Sequence, residues 1–182
     1  MILDKVSWYL LFDSGYNKLR EIKYFYDNHQ YGDNPSKGDL TKTENWLDTG
    51  GGNPTTSYVY DDFGNLYKQT DALGRTTAWD YGIKDTTYTY PDRVVNALGH
   101  ATDYEYDVTG NVLSYTKNGI KSSYEYDKFG RVDKDIDPYD TSDFPTKYYT
   151  YNFDGIAPEI ITVKQRTTSN NTIDSNYFYD GF

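Results

Sequence analysis

The chain has 182 residues, a net charge of −10, 36% hydrophobic residues and no cysteine. The charge sets its surface against nucleic-acid phosphates and anionic lipid, and the missing cysteines remove disulfides, thiolate metal sites and a Cys nucleophile. Half of the apolar content is aromatic (18% of the chain, with 22 Tyr), a composition that favours strands with one wet face.

From the N-terminus, Met1-Ile-Leu-Asp-Lys-Val lacks the basic region, apolar core and cleavage site of a signal peptide. No apolar run approaches the ~20 residues of a spanning helix, so no membrane span is expected. The first of seven Tyr-x-Tyr pairs is Tyr24–Tyr26, and the others begin at Tyr58, Tyr88, Tyr104, Tyr124, Tyr149 and Tyr177. Self-similarity of this kind marks a repeated supersecondary unit. Residues 27–57, with Gly32, Pro35, Gly38 and the Gly50-Gly-Gly-Asn-Pro54 cluster, read as a hairpin with long loops around a strand near Leu40–Trp46.

The unit is clearest from Tyr58. Tyr58 and Tyr60 lie two apart and share a face of a strand. Asp61-Asp-Phe-Gly64 then spells a type I turn, with Asp bonding its own backbone and Gly accepting positive φ. A strand over Leu66–Thr70, a second turn Asp71-Ala-Leu-Gly74 and a strand over Thr76–Tyr81 follow, the last carrying Trp79 and Tyr81 on one face. Asn96-Ala-Leu-Gly99 repeats the turn. Tyr104-Glu-Tyr106 then runs into Asp107–Gly110, Lys117-Asn-Gly-Ile120 reads as a type I′ hairpin, and Tyr124-Glu-Tyr126 runs into Asp127–Gly130. Residues 137–148 read as an acidic loop, a strand is expected near Ile160–Arg166, and 168–175 reads as a polar loop before Tyr177–Tyr179.

No segment shows helical periodicity with caps, so the expected class is all-β, an antiparallel meander of repeated hairpins. No linker splits residues 1–182, which read as one repeat segment, clearest over 58–140 and looser over 1–57 and 141–182. Because the sequence stops inside a Tyr-x-Tyr-Asp motif, it is expected to be a fragment of a longer array, with an open sheet edge and an uncovered apolar face.

No catalytic or cofactor-binding set is expected. His29 and His100 lie in loop and turn contexts, where surface polar roles account for them. The repeated acids Asp61, Asp71, Asp107, Asp127 and Asp137 stand at turn starts, where a structural task accounts for them better than a glycosidase-like pair. Asp137, Asp140 and Asp143 form the one metal candidate, for a hard cation, set against a solvated acidic loop. Asn170-Asn-Thr172 fits a glycosylation sequon. The tyrosines admit two readings: a packed ladder, the preferred one, with most rings committed to packing, or exposed rows that bind a glycan or a protein.

Tyr-x-Tyr-Asp-x-x-Gly-(Asn/Arg)-(Leu/Val), followed after five or six residues by Asp-x-x-Gly-x-x-Thr, resembles the YD repeat of RHS proteins. Residues 58–77 and 104–136 carry the likeness best. Asn45-Trp-Leu-Asp-Thr-Gly50 and Phe178-Tyr-Asp-Gly-Phe182 look most like the toxin-complex or SpvB-like branch. The family includes bacterial RHS proteins, toxin-complex components and animal teneurins, in which the repeats wind into a hollow shell. The resemblance implies a non-enzymatic, secreted or cell-surface shell segment. Its partners would be the rest of the parent shell and its cargo or adhesion module. The family's Asp-Pro-x-Gly core motif is absent; the single Asp-Pro is Asp137-Pro138.

Overall fold

The computed structural model describes residues 5–153, 155, 159–168 and 171–179. Two compact units divide the chain, Met1–His100 and Ala101–Phe182. The first holds β1 (Trp8–Phe12), β2 (Lys18–Tyr26), β3 (Leu40–Asn45), β4 (Thr55–Tyr60), β5 (Leu66–Thr70), β6 (Thr76–Tyr81) and β7 (Pro91–Val95). The second holds β8 (Ala101–Tyr106), β9 (Val112–Lys117), β10 (Ile120–Tyr126), β11 (Val132–Ile136), β12 (Lys147–Asn152), β13 (Glu159–Arg166) and β14 (Thr172–Tyr179). Within each unit every strand pairs antiparallel with the next in sequence. The described residues contain no helix. The protein is an all-β meander of hairpins.

Period-two geometry gives each sheet two chemically distinct faces. In the second unit Tyr104 stands opposite Tyr115, and Tyr124 opposite Asp135, while Glu105 stands opposite Ser114 and Glu125 opposite Lys134. Rings therefore gather on one side: Tyr104 lies 6.1 Å from Tyr106 and 6.5 Å from Tyr115, which lies 6.3 Å from Tyr124. The other side carries cross-strand ion pairs, Lys121–Glu105 at 3.0 Å, Lys134–Glu125 at 2.8 Å and Lys164–Asp174 at 3.2 Å.

Strands that touch are always consecutive, so each unit is a single layer. Two packed layers normally make a core. Here the buried residues among those described are Thr41, Asp92, Ser114, Ser122, Ile136 and Pro145, four of them polar. None of the 22 tyrosines is buried. The expected packed ladder is therefore half open: neighbouring rings cover each other's edges, and no second layer covers their faces.

Two further expectations are corrected. Tyr88–Tyr90 is not a strand pair: it lies in the loop between β6 and β7, with Tyr88 at φ +58°, and the ring pair on the strand is Trp79–Tyr81. The polar loop expected over 168–175 is strand from Thr172 onward, because β14 pairs with β13 along its whole length, from Arg166↔Thr172 to Glu159↔Tyr179. Ladder bonding there overrides a turn-like composition.

Gly64 (φ +88°) occupies the left-handed position that closes the Asp61 turn. In the loop Asp13-Ser-Gly-Tyr16 the same position falls on Tyr16, at φ +63° and 88% exposed. A side chain in that region costs about 1–2 kcal/mol. Tyr16→Gly is expected to raise stability by roughly 1 kcal/mol, and Gly64→Val to lower it by more than ~1 kcal/mol, both read by denaturant unfolding.

Candidate functional site: the aspartate clips and the tyrosine latch

Six loops share one clip. In each, the first residue's amide bonds the carbonyl of the fifth and its carbonyl receives the fourth amide; Asp61 does so with Asn65 (2.9 Å) and Gly64 (3.1 Å). One Asp61 oxygen accepts the amides of Phe63 (2.9 Å) and Asn65 (2.8 Å), while the other accepts the Asn65 side-chain amide (3.1 Å). Asp13 and Asp107 repeat this with Asn17 and Asn111. Asp71 and Asp127 use guanidinium groups instead, from Arg75 (Nε 2.7 Å) and Arg131 (Nε 2.8 Å). Asn96 forms the sixth clip with the amides of Leu98 and His100, both at 3.0 Å. In the five Asp clips the fifth residue thus closes the loop with its side chain, a role hidden in the Gly-(Asn/Arg) spelling.

The clip carboxyls sit below the usual carboxylate range. At Asp107 the Thr109 hydroxyl and the Asn111 amide are the main cause and hold it far below. At Asp61 and Asp127 partial desolvation opposes ionisation, but bonds from the fifth residue outweigh it. Asp27 follows another plan. Desolvation works against its charge, yet the amides of Gly38, Asp39, Ser36 and Lys37 close around the carboxylate and hold it far below the ordinary value.

Past each of five loops the register slips by one residue, at Tyr26↔Leu40, Tyr60↔Leu66, Tyr81↔Pro91, Tyr106↔Val112 and Tyr126↔Val132. These are β-bulges opposite the second aromatic of each pair. In the two long loops the bulged residue is one of the buried polar ones. Thr41 accepts the Asn28 amide at 2.9 Å, and Asp92 accepts those of Ile83 (2.6 Å) and Asp85 (3.0 Å).

The bulge also frees a carbonyl, and the next hairpin's tyrosine takes it. Tyr60 Oη donates to Leu40 O (3.0 Å), Tyr81 to Leu66 O (3.2 Å), Tyr126 to Val112 O (2.8 Å) and Tyr151 to Val132 O (2.8 Å). These four second aromatics therefore latch their hairpins to the ones before, whereas Tyr26 Oη donates to Val6 O at 2.8 Å. Burial raises the Tyr60, Tyr81 and Tyr126 hydroxyls above their ordinary pKa, with the charge of a nearby aspartate adding to it. At Tyr124 burial and then the Asp135 charge push the value up to about 12.

The remaining candidates are dispersed. Asp140 pairs with Arg166 and accepts the Thr146 hydroxyl at 2.7 Å, and among the described residues no three His, Cys, Asp or Glu side chains converge on one ion position. His29 Nδ1 lies 3.1 Å from Asn34 O, and His100 belongs to the Asn96 clip. Asn170 of the sequon lies outside the described residues. Among those residues no helix is long and apolar enough to cross a membrane.

This hairpin layer is similar to part of a crystal structure of TcdB2-TccC3-Cdc42, with a TM-score of 0.59 and 16% identity over 93% of this chain and 10% of that one. TcdB2-TccC3 without its hypervariable C-terminal region matches at a TM-score of 0.34 and 16% identity, covering 92% of this chain and 10% of that one. TcdB2-TccC3-TEV matches at 0.26 and 12%, covering 94% and 13%. The first match shows a shared fold. This chain spans about a tenth of the length of the first structure. No family model and no curated protein matches the sequence.

Removing a latch hydroxyl leaves a carbonyl without its donor, so Tyr126→Phe and Tyr151→Phe are each expected to cost about 1 kcal/mol in denaturant unfolding. The clips add an acid dependence. The folded pKa values of Asp107, Asp71 and Asp61 lie below the unfolded 3.8, so their stability is fully present above that value and is lost as pH falls through the folded pKa. The Asn96 loop shows that an amide can hold the same backbone bonds without titrating. Asp107→Asn is therefore expected to stay folded at pH 7 and to lose less of its melting temperature than the parent chain between about pH 5 and pH 3. Parallel acid limbs for the two proteins would show that the clip charge contributes nothing.

Proposed function

We propose that this chain is a structural, non-enzymatic wall segment of an RHS/YD-repeat shell, which encloses or supports a toxin or adhesion module. The observation that carries this reading is the latch. Four hairpins hand a bulge carbonyl to the tyrosine of the next, a connection that can be repeated indefinitely and builds a layer instead of a core. The fold shared with TcdB2-TccC3-Cdc42, a toxin-complex structure many times longer than this chain, supports it at the level of architecture. The half-open rings support it as well, since a wall has one face to turn toward a lumen or toward further turns of the same sheet. A secreted or cell-surface location belongs to this reading and comes from the resemblance.

The rival reading is a module whose aromatic surface binds a glycan or a cell-surface protein. A groove of about 450 Å³ beside Tyr149, Tyr151, Tyr177 and Tyr179 is the feature that favours it. Sedimentation of the 182-residue chain over a concentration series, together with a glycan array, separates the two. The wall reading expects self-association that grows with concentration, binding of a dye to exposed apolar surface, and no glycan selectivity. A compact monomer that ignores the dye, or a glycan that shields Tyr149 and Tyr177 from nitration, would overturn it.

A further inference from the structure

Two hairpins of this chain build the same aromatic cage, and only one of them fills it. In the second unit the clip Asp127-Lys-Phe-Gly-Arg131 places the Arg131 guanidinium 5.0 Å from the Phe129 ring, 4.1 Å from Tyr151 and 5.3 Å from Phe153. Its Nε donates to Asp127 at 2.8 Å. A cation in contact with three ring faces and one carboxylate is a strongly favoured arrangement.

In the first unit the clip Asp61-Asp-Phe-Gly-Asn65 stands in the same relation to its neighbour. Tyr81 latches Leu66 as Tyr151 latches Val132, so Phe63 corresponds to Phe129, Tyr81 to Tyr151 and Ile83 to Phe153. The position of Arg131 is taken by Asn65, whose side chain is turned to Asp61 (3.1 Å) and to Tyr88 O (2.8 Å). What remains is an open groove of about 390 Å³, lined by Phe63, Tyr67, Trp79, Tyr81 and Tyr88. Asp61, Asp62, Asp80 and Ile83 complete the lining, with the Asp61 carboxylate held in its clip and Asp80 alternating in face with Trp79 and Tyr81 along β6, and no Lys or Arg among the described residues lines it.

Tyr88 closes one side of the groove. Tyr88 holds a positive φ of +58°, stacks on Phe63 at 4.5 Å and sits so close over Gly82 that a Cβ there would meet its ring at 2.2 Å. Phe63 is 69% exposed, the same as Phe129 beside Arg131.

We propose that this groove binds an arginine side chain of a basic segment in another polypeptide, which takes the place that Arg131 fills in the second unit. Charge complementarity selects the cation, and the planar rings select a guanidinium over an ammonium. The inference does not depend on the shell reading, because it rests on the comparison between the two cages.

The test is fluorescence anisotropy of a labelled Gly-Arg-Gly-Arg-Gly peptide titrated with the 182-residue chain at physiological salt, beside the same peptide with citrulline in place of arginine. Saturable binding of the arginine peptide is expected, with the citrulline peptide at least tenfold weaker. Asn65→Arg supplies the missing guanidinium from within and should weaken binding at least tenfold without lowering the melting temperature. Asp62→Asn, which leaves the clip and the stack in place, should weaken it severalfold. Equal binding of the citrulline peptide, unchanged binding by Asn65→Arg and Asp62→Asn together, or displacement of the peptide by a neutral oligosaccharide would overturn the proposal.

Discussion

The bond between a tyrosine hydroxyl and the carbonyl freed by the preceding bulge is the contact on which the rest of the structure depends. A single-layer sheet has no opposing layer to fix the stagger of its strands, and ladder bonds alone allow register to slip. Tyr60, Tyr81, Tyr126 and Tyr151 each reach back to the adjacent strand and fasten to one defined carbonyl. That carbonyl lies beside a bulge, and at Leu66, Val112 and Val132 the bulge follows a loop that an Asp clip closes, whereas at Leu40 it follows the Asp27 loop. Clip, bulge and latch coincide in three hairpins, while the Asp71 clip joins β5 and β6 without a slip.

A layer assembled this way divides its chemistry between its faces. One face places Lys and Glu opposite each other, as in Lys134–Glu125, where partial exposure keeps the contribution of each pair small. The other face gathers half-covered rings, and into it the sequence also places Asp135, whose carboxyl is raised by burial and by the charge of Asp137. Lys147 lies 3.8 Å away and offsets this in part. That carboxylate shares the face with rings that no second layer covers, in keeping with the absence of any buried tyrosine among the described residues.

Local chemistry made much of the fold legible. The strands Leu66–Thr70 and Thr76–Tyr81 can be read directly from turn residues and alternation, because an Asp that bonds its own loop fixes where each strand must start and stop. Contacts beyond the hairpin were not legible in the same way. Tyr88–Tyr90 carries the repeat's spelling but lies in a loop, because the adjacent Trp79–Tyr81 pair already occupies the strand and Tyr88 packs onto Gly82 instead. The half-open state of the rings also lay outside any local pattern, since whether a second layer exists is a property of the whole sheet. The latch acceptors Leu40, Leu66, Val112 and Val132 could have been found from one signal, the apolar residue placed two after each loop-closing Gly.

The loop-closing fifth residue is where the copies differ in chemistry. Asn closes the clip with one amide, whereas Arg closes it with Nε and a terminal nitrogen on the same carboxylate. At Arg75 the paired guanidinium meets no ring among the described residues and its side chain is 65% exposed. At Arg131 it lies over Tyr151, because the next hairpin on that side presents its latch tyrosine and Phe153. Identical loop geometry therefore yields three surfaces: an outward-facing guanidinium at Arg75, a filled cage at Arg131 and an unfilled acidic cage at Asn65. A repeat that closes its loop on one Asp or Asn side chain and varies the fifth residue changes the chemistry of its rim without disturbing the backbone bonds that close the loop.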